Sequence, residues 1–249
     1  MIELKNIVSG YGKKCVINNV SLCIPKGKLL AIIGPNGSGK STLLKTATGI
    51  LPAWSGSITV DESDFDGISR LEKAKKVSYL AQGNGTPDMS VFKMVLHGRF
   101  PYLCYPRRYT KNDMEIAKSA ISQMGLSDLA DKPMGSLSGG TRQKAYLAMA
   151  LTQNTDHVLL DEPTTYLDIS AQLELMRMLR SLADAGKGIA VVMHDLELAF
   201  RFADEIVVIN NGEICANGTP DDICKTEIIK EIFGVNVIND GENGYYYRY

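Results

Sequence analysis

The sequence has few cysteines, and none of them lies in a pairing pattern. Five are scattered over 249 residues, and no two of them form a CxxC motif. The three histidines also lie far apart, so the spacing of a zinc site is missing. We therefore expect reduced thiols rather than a disulfide framework. The cysteines are Cys15, Cys23, Cys104, Cys215 and Cys224.

Long apolar runs are missing as well. The longest apolar blocks, LLAII at 29–33 and IAVVM at 189–193, have the length of buried strands. A helix that crosses a bilayer needs roughly 18 or more consecutive apolar residues. We expect no secretory signal at the start of the chain. These features predict a soluble protein without a membrane span.

An excess of charge of either sign is also absent. The 27 basic residues are balanced by 28 acidic residues, which gives a net charge of −1. This balance provides no overall attraction to nucleic acid or anionic lipid, although a local basic patch is compatible with it. The composition is 45% hydrophobic, which is enough for a packed core.

Strand-like and helix-like segments alternate along most of the chain, which predicts a parallel sheet with crossover helices. Between about 88 and 152, three segments have helical spacing instead. We find no linker that would divide the chain. The prediction is one domain over 1–249, with an α/β core at about 1–87 and 153–249 and an inserted helical block at about 88–152. The tail, 235–249, is predicted to form one or two edge strands.

The stretch GPNGSGKST at 34–42 fits the pattern GxxxxGK(S/T), and it follows a strand and opens a helix. In this context the glycines let backbone N–H groups converge on phosphates, Lys40 supplies charge, and Ser41 can ligate Mg²⁺. A glycine-rich turn without a ligand is the alternative, and the complete pattern favours nucleotide binding. The candidate contacts of this lysine loop are Gly34, Pro35, Asn36, Gly37, Ser38, Gly39, Lys40, Ser41 and Thr42.

Two carboxylates follow another strand of buried character, in HVLLDEPTTYLD. Asp161 and Glu162 are expected at the carboxyl end of that strand, where open α/β sheets bind ligands. Asp161 is then the candidate Mg²⁺ group, and Glu162 the candidate that orients and polarises an attacking water. A pair of solvated loop carboxylates is the alternative.

The order of the motifs resembles that of the ATP-binding cassette (ABC) ATPases over almost the whole chain. It consists of GPNGSGKST, Gln82, LSGG at 137–140, LLDEPTTYLD at 159–168 and His194. LSGG is the discriminating motif, since many other nucleotide-binding proteins share the lysine loop. The resemblance implies an α/β fold with a P-loop NTPase (RecA-like) core, an antiparallel β subdomain and an inserted α-helical subdomain. It also implies ATP hydrolysis with Mg²⁺.

The resemblance further implies a head-to-tail dimer that encloses two ATP molecules. Each ATP would contact the lysine loop of one copy and the LSGG loop of the other, so Ser138, Gly139 and Gly140 would face the partner's nucleotide. The expected partners are a second copy, an integral-membrane permease and, indirectly, an external substrate-binding protein. The expected location is cytoplasmic, on the inner face of the cell membrane.

Other positions match the family's motifs one by one. Tyr11 matches the aromatic residue that stacks on adenine, and Gln82 matches the glutamine that senses Mg²⁺ and the γ-phosphate. His194 matches the histidine that contacts the γ-phosphate, and Asp168 the aspartate that communicates across the dimer. Without the resemblance, each would be read as an ordinary surface or packed residue. The candidate catalytic set is Lys40, Gln82, Glu162 and His194, and the candidate metal set is Ser41, Gln82 and Asp161.

The chain departs from the commonest family pattern at two places. Thr141 stands where glutamine is usual after LSGG, and Met149 stands where many members have arginine. AMALTQ, LLDEPTTYLDI and HGRFPYL together resemble the branch that serves iron–siderophore, haem and cobalamin importers.

The segment 98–109 interleaves arginines with aromatic residues. We interpret it as an exposed loop that contacts the permease, while a solvated loop and a nucleic-acid contact are the alternatives. The C-terminal YYYRY is assigned no role. For the whole chain, a non-transport ABC ATPase acting on nucleic acid or the ribosome is the main alternative to an importer subunit. A metabolic P-loop kinase would need no LSGG.

Overall fold

The structure is a computed structural model of the chain. It describes residues 1–83, 85–239, 241 and 244–248, with the backbone alone at 247 and 248. In the predicted edge-strand tail, Asp240, Glu242, Asn243 and Tyr249 lie outside the described residues.

The first sheet is antiparallel and has the strand order β2-β1-β4-β5. Its inward-facing residues, such as Ile2, Leu4 and Ile7 on β1, are fully buried. The bounds are β1 (Ile2–Tyr11), β2 (Lys14–Ile24), β4 (Ser55–Val60) and β5 (Ser63–Asp64).

The second sheet has six strands in the order β10-β9-β3-β8-β7-β6, and only the β9–β10 pair is antiparallel. Three of the four inner strands, β3, β8 and β7, are buried along their whole length, as their continuous apolar sequences predict for a parallel sheet. The bounds are β3 (Leu29–Ile33), β6 (Val77–Leu80), β7 (His157–Asp161), β8 (Gly188–Val192), β9 (Glu205–Asn210) and β10 (Glu213–Gly218).

Nine helices surround the sheets in the part of the chain that the structure describes, and none of them is long and apolar enough to cross a membrane. A third, two-stranded sheet closes the chain with β11 (Asn236–Asn239) and β12 (Tyr245–Arg248). The helices are α1 (Lys40–Ala47), α2 (Arg70–Lys76), α3 (Val91–Leu96), α4 (Lys111–Gln123), α5 (Gly139–Thr152), α6 (Ile169–Asp184), α7 (Leu196–Phe202), α8 (Pro220–Cys224) and α9 (Ile228–Phe233).

Two hydrophobic cores lie on opposite faces of the parallel sheet. Leu29, Ala31 and Ile33 of β3 pack into a core shared with α3, α4 and α5, whereas Leu30 and Ile32 pack into a core shared with α1 and the antiparallel sheet. This alternation follows from the two-residue period of a strand. The sheet is thereby held between two layers, and its carboxyl-terminal edge carries the loops after β3, β6, β7 and β8.

The prediction of an exposed, irregular loop at 98–109 is wrong for its first part. His97–Tyr102 form a 3₁₀ helix, and Arg99 within it is buried. The Arg99 guanidinium donates hydrogen bonds to Asp113 Oδ1 at 2.9 Å and to the carbonyl oxygen of Thr152 at 3.2 Å. An ion pair inside the helical block therefore orders a segment that has no sequence periodicity of its own. Residues 104–108 are exposed, as predicted.

Candidate active site

The lysine loop connects β3 to α1, as the sequence predicts. Gly34 has a φ of 157°, and a Cβ at this position would collide with the carbonyl oxygen of Ile209 on β9. Gly39 is the N-cap residue of α1 and has a φ of 106°, and no side chain among the described residues caps this helix. The first backbone N–H groups of α1 thus lack a side-chain acceptor, which is the arrangement that binds anions at a helix N-terminus.

The Lys40 side chain is buried inside this loop. Its Nζ donates to the carbonyl oxygens of Gly34 at 2.8 Å and Pro35 at 2.9 Å. Burial lowers the pKa of Lys40 from its ordinary value, and the nearby carboxylates Glu162 and Asp161 oppose that effect. The loop therefore holds a cation at its centre, close to two acidic groups.

Asp161 ends β7 and is almost fully buried. Its Oδ1 accepts a hydrogen bond from Ser41 Oγ at 2.9 Å, and its Oδ2 accepts one from the Tyr79 hydroxyl at 3.2 Å. Burial raises the pKa of the Asp161 carboxyl, while these two hydrogen bonds act in the opposite direction. Hydroxyl and carboxylate oxygens lie together here, and this donor set fits Mg²⁺.

Glu162 is the next residue, and its carboxylate contacts the side chains of two further predicted site residues. Gln82 Nε2 donates to Oε2 at 2.5 Å, and His194 Nε2 lies 2.5 Å from Oε1. The backbone of Glu162 has a φ of 52°, an uncommon conformation for a residue other than glycine. Loops after β6, β7 and β8 thus meet at one carboxylate, because the carboxyl ends of parallel strands share one edge.

These residues line one open cleft of about 720 Å³. Tyr11 stands in its wall and is 49% exposed, so its ring is free to contact a ligand. Asp161 lies behind Ser41, outside the set of lining residues. The cleft is lined by Tyr11, Lys14, Val16, Asn36, Gly37, Gly39, Lys40, Ser41, Thr42, Gln82, Glu162 and His194.

The LSGG residues and Asp168 are absent from the lining of this cleft in the described part of the chain. Ser138 caps α5, with its Oγ accepting from the backbone N–H of Thr141 at 3.2 Å. Asp168 caps α6 in the same way, through Ala171 at 2.8 Å. Tyr166 lies two residues before Asp168, and its side chain and backbone pack against Gly139 and Gly140 at the start of α5. It therefore links the two capped helix ends. We call this second surface the signature surface; it comprises Ser138, Gly139, Gly140, Tyr166 and Asp168.

The two departures from the family pattern have local roles. The Thr141 hydroxyl lies 2.8 Å from Ser138 Oγ, so it belongs to the cap of α5. Met149 is partly buried against the core of the helical block. In the same helix, Gln143 Nε2 donates to the carbonyl oxygen of Pro163 at 3.2 Å, which links α5 to the loop after Glu162.

Sequence reasoning missed two residues of the site. Tyr79 bonds to Asp161, and its place on the strand before Gln82 is a signal that could have indicated it. Lys14 lines the cleft beside Tyr11. Its signal is the alternation on β2, since Lys14 and Val16 share a strand face.

Comparison with known proteins supports one family. The family model described as "ABC transporter" matches residues 17–165. The ferric enterobactin transport ATP-binding protein FepC of Escherichia coli is 40% identical, over 95% of this chain and 89% of its own length. The iron(3+)-hydroxamate import ATP-binding protein FhuC of Bacillus subtilis is 37% identical, over 91% and 85%.

Solved structures agree with this result. The dimeric structure of a bacterial ABC transporter cassette has a TM-score of 0.79 and 28% identity, covering 88% of this chain and 99% of that one. A metal-chelate type ABC transporter in an inward-facing conformation has a TM-score of 0.84 and 25% identity, covering 100% and 97%. The predicted fold class and ATPase activity are confirmed. With its lysine loop, its LSGG motif and this likeness along its length, the chain belongs to the ABC transporter family and is one of its ATP-binding, ATP-hydrolysing cassettes.

Proposed function

We propose that the chain is the ATP-hydrolysing motor subunit of an importer for an iron–siderophore or a related metal chelate. The names of the relatives support this cargo class. They include petrobactin import in Bacillus anthracis, ferric enterobactin transport and iron(3+)-hydroxamate import. A manganese transport protein of Bacillus subtilis is 36% identical, so identity at this level supports metal acquisition more strongly than one particular chelate.

The geometry around Glu162 is the observation that carries the ATPase mechanism. Tyr11 stacks on adenine, and the lysine loop with Lys40 holds the phosphates. Glu162 accepts a proton from the attacking water, as its carboxylate is the one fixed by both Gln82 and His194. The two partners hold the carboxylate in one orientation, which is the main requirement for phosphoryl transfer by positioning.

The residues that would hold Mg²⁺ are Ser41, Gln82 and Asp161. Ser41 and Asp161 are already hydrogen-bonded to each other beside the lysine loop, at 2.9 Å. Gln82 presents its amide nitrogen to Glu162, and the oxygen of the same amide is its metal-ligating end. When bound, Mg²⁺ neutralises negative charge on the phosphates.

The signature surface contacts the nucleotide of a second copy in this proposal. It lies apart from the chain's own cleft, and its two caps and two glycines present backbone groups at helix N-termini. Tyr166 on this surface and the nearby Ile169 are 76% and 78% exposed, which is unusual for large apolar side chains and fits a buried position in a dimer. A related cassette has been solved as a dimer with ADP and phosphate. ATP then favours the closed dimer through contacts that only the dimer provides.

A second groove, of about 330 Å³, is the candidate permease contact. We call it the docking groove. The 3₁₀ helix before the 104–108 segment borders it, because the Tyr102 hydroxyl donates to the carbonyl oxygen of Gln153 at 2.9 Å. The permease would hold the protein at the inner face of the membrane. The groove is lined by Thr48, Gly49, Ile50, Arg70, Lys73, Ala74, Val77, Tyr79 and Gln153.

Purification of the tagged protein from its native membranes tests this proposal. We expect a multi-helix integral protein to remain attached, and its ATPase activity to rise when that complex is reconstituted with the external binding protein. A soluble preparation that carries nucleic acid or ribosomes and no integral protein would contradict the importer function. It would support the non-transport alternative, although the net charge of −1 provides no general attraction to nucleic acid.

A further inference from the structure

Tyr79 belongs to both of the sites described above. It lines the docking groove, together with Val77 and with Thr48 after α1. Its hydroxyl reaches through to the nucleotide site and donates to Asp161 Oδ2 at 3.2 Å. One side chain therefore connects the two surfaces.

Helix α1 gives this connection a fixed frame. Ser41, in its first turn, bonds to Asp161 Oδ1, and Thr48, after its last turn, lines the docking groove. The two residues are seven positions apart, which corresponds to a rise of about 10 Å along the helix. One helix therefore contacts the carboxylate at its first turn and borders the groove at its other end.

The environment of Asp161 makes its hydrogen bonds important. The carboxylate is almost completely buried, and an ionised group in that position depends on its donors. Ser41 holds one oxygen and Tyr79 holds the other, so the carboxylate plane is fixed by residues from two different elements. The Tyr79 ring also packs against the core beneath α1, which limits its freedom.

We propose that Tyr79 is a positioning residue that orients Asp161 and makes metal–nucleotide binding sensitive to the contents of the docking groove. A segment of the permease bound in the groove displaces the Tyr79 ring, and the Tyr79 hydroxyl transmits the displacement to Asp161 Oδ2. This inference rests on the proposed function, because it takes Asp161 as a Mg²⁺ group and the groove as a contact site for the permease.

Tyr79→Phe separates the two ends of the side chain, since it keeps the ring and removes the hydroxyl. The measurement is the affinity of the purified chain for fluorescent ADP, in Mg²⁺ and in EDTA. We expect the affinity in Mg²⁺ to fall about tenfold, the scale of a lost hydrogen bond to a charged group. The affinity in EDTA should stay unchanged, because Asp161 then has no metal to hold.

Tyr245→Phe is the matched control. Its hydroxyl also donates to a carboxylate oxygen, Asp221 Oδ1, at 2.7 Å, and neither residue lines the cleft or the docking groove. Thermal unfolding midpoints of the two variants check that each is folded. Equal affinity of Tyr79→Phe and the wild type in Mg²⁺, or an equal loss in Mg²⁺ and EDTA, would overturn the positioning role.

Ala74→Leu tests whether a change in the groove reaches the nucleotide site. Ala74 lines the groove, and a larger side chain there fills part of it, as a bound permease segment would. In the wild-type background we expect it to change the affinity for ADP in Mg²⁺. In the Tyr79→Phe background that change should disappear. An absent effect in the wild-type background, or the same effect in both, would overturn the inference.

The outcomes also separate this inference from the proposed function. A wild-type chain that binds no nucleotide in Mg²⁺ would contradict both. If the wild type binds nucleotide normally and the Tyr79 variants have the same affinity as the wild type, only the role of Tyr79 is contradicted.

Discussion

At the scale of single residues, the account depends on Glu162. Its carboxylate accepts a hydrogen bond from the Gln82 side chain and lies within hydrogen-bond distance of His194 Nε2. Its backbone adopts a left-handed conformation directly after a fully buried strand. Such a conformation persists only where the surroundings fix it. Neighbouring strands β7 and β8 provide that restraint, because the Glu162 N–H donates to the carbonyl oxygen of Val192 at 3.2 Å.

Glu162→Gln should stop turnover while nucleotide binding remains. The amide keeps the shape of the side chain and loses the capacity to accept a proton, so we expect ATP hydrolysis to fall roughly a hundredfold or more. Steady-state ATPase assays and a binding titration measure the two effects. Glu174→Gln makes the same chemical change at an exposed site outside the cleft and should behave like the wild type. Unchanged hydrolysis in Glu162→Gln would remove this residue from its role.

Contiguous motifs explain why much of the site could be predicted from the sequence. The lysine loop and the pair Asp161–Glu162 are each written in adjacent residues, so their spacing is visible without a structure. Tyr79 could not be predicted in this way, since its partner lies 82 positions away and the contact depends on β6 pairing with β7. The meeting of Gln82 and His194 at Glu162 equally depends on strand order.

At the scale of elements, the segment 97–109 divides into two parts. The 3₁₀ helix is held in the helical block by Arg99, whereas Tyr105 is 98% exposed and Arg107 and Arg108 lie on the surface. Arg107 stacks over the Phe100 ring at 4.9 Å. Within the proposed function, the permease contact of this segment is therefore expected at its exposed residues, 104–108.

Arg107→Glu with Arg108→Glu should weaken the complex with the permease. Reversal of two charges at the rim of an interface slows association with the partner. We therefore expect about tenfold less integral protein to co-purify. ATPase activity of the isolated chain should not change, because both residues lie outside the cleft. Lys225→Glu with Lys230→Glu reverses the same amount of charge near the C-terminus and serves as the control. Equal yields from both variants would argue for the simple solvated loop.

Two short helices, α2 and α8, were not predicted from the sequence pattern. Each begins with a capping box, at Ser69–Glu72 and Thr219–Asp222. Those pairs were a usable signal. Strand β7 was predicted from its continuous apolar sequence, and the 16-residue α6 from a helical period that repeats over enough residues to be seen. The predicted tail strands are present as β11 and β12.

At the scale of the whole molecule, the proposed function assigns two halves of a nucleotide site to different surfaces of the chain. The cleft carries the lysine loop and Glu162, and the signature surface carries the two helix caps. A dimer with two-fold symmetry, in which the cleft of each copy meets the signature surface of the other, would complete both halves at once. Such two-fold pairing is the commonest symmetry of soluble oligomers. The same closure would move the docking grooves of the two copies, and with them the permease.

Ser138→Arg is the variant that tests this arrangement, since it places a long cation on the signature surface and leaves the cleft intact. It also removes the cap of α5, which costs about 1 kcal/mol of stability. Ser90→Arg removes a similar serine cap, from α3, and controls for that loss. We expect ATP binding by both variants, with dimerisation lost only in Ser138→Arg.

The most direct measurement is the mass of the Glu162→Gln chain by sedimentation in saturating ATP and Mg²⁺. The account predicts twice the mass of one chain, and a return to a single chain mass when Ser138→Arg is added. A Glu162→Gln chain that stays monomeric under these conditions, while the wild type hydrolyses ATP at full rate as a monomer, would contradict the shared site.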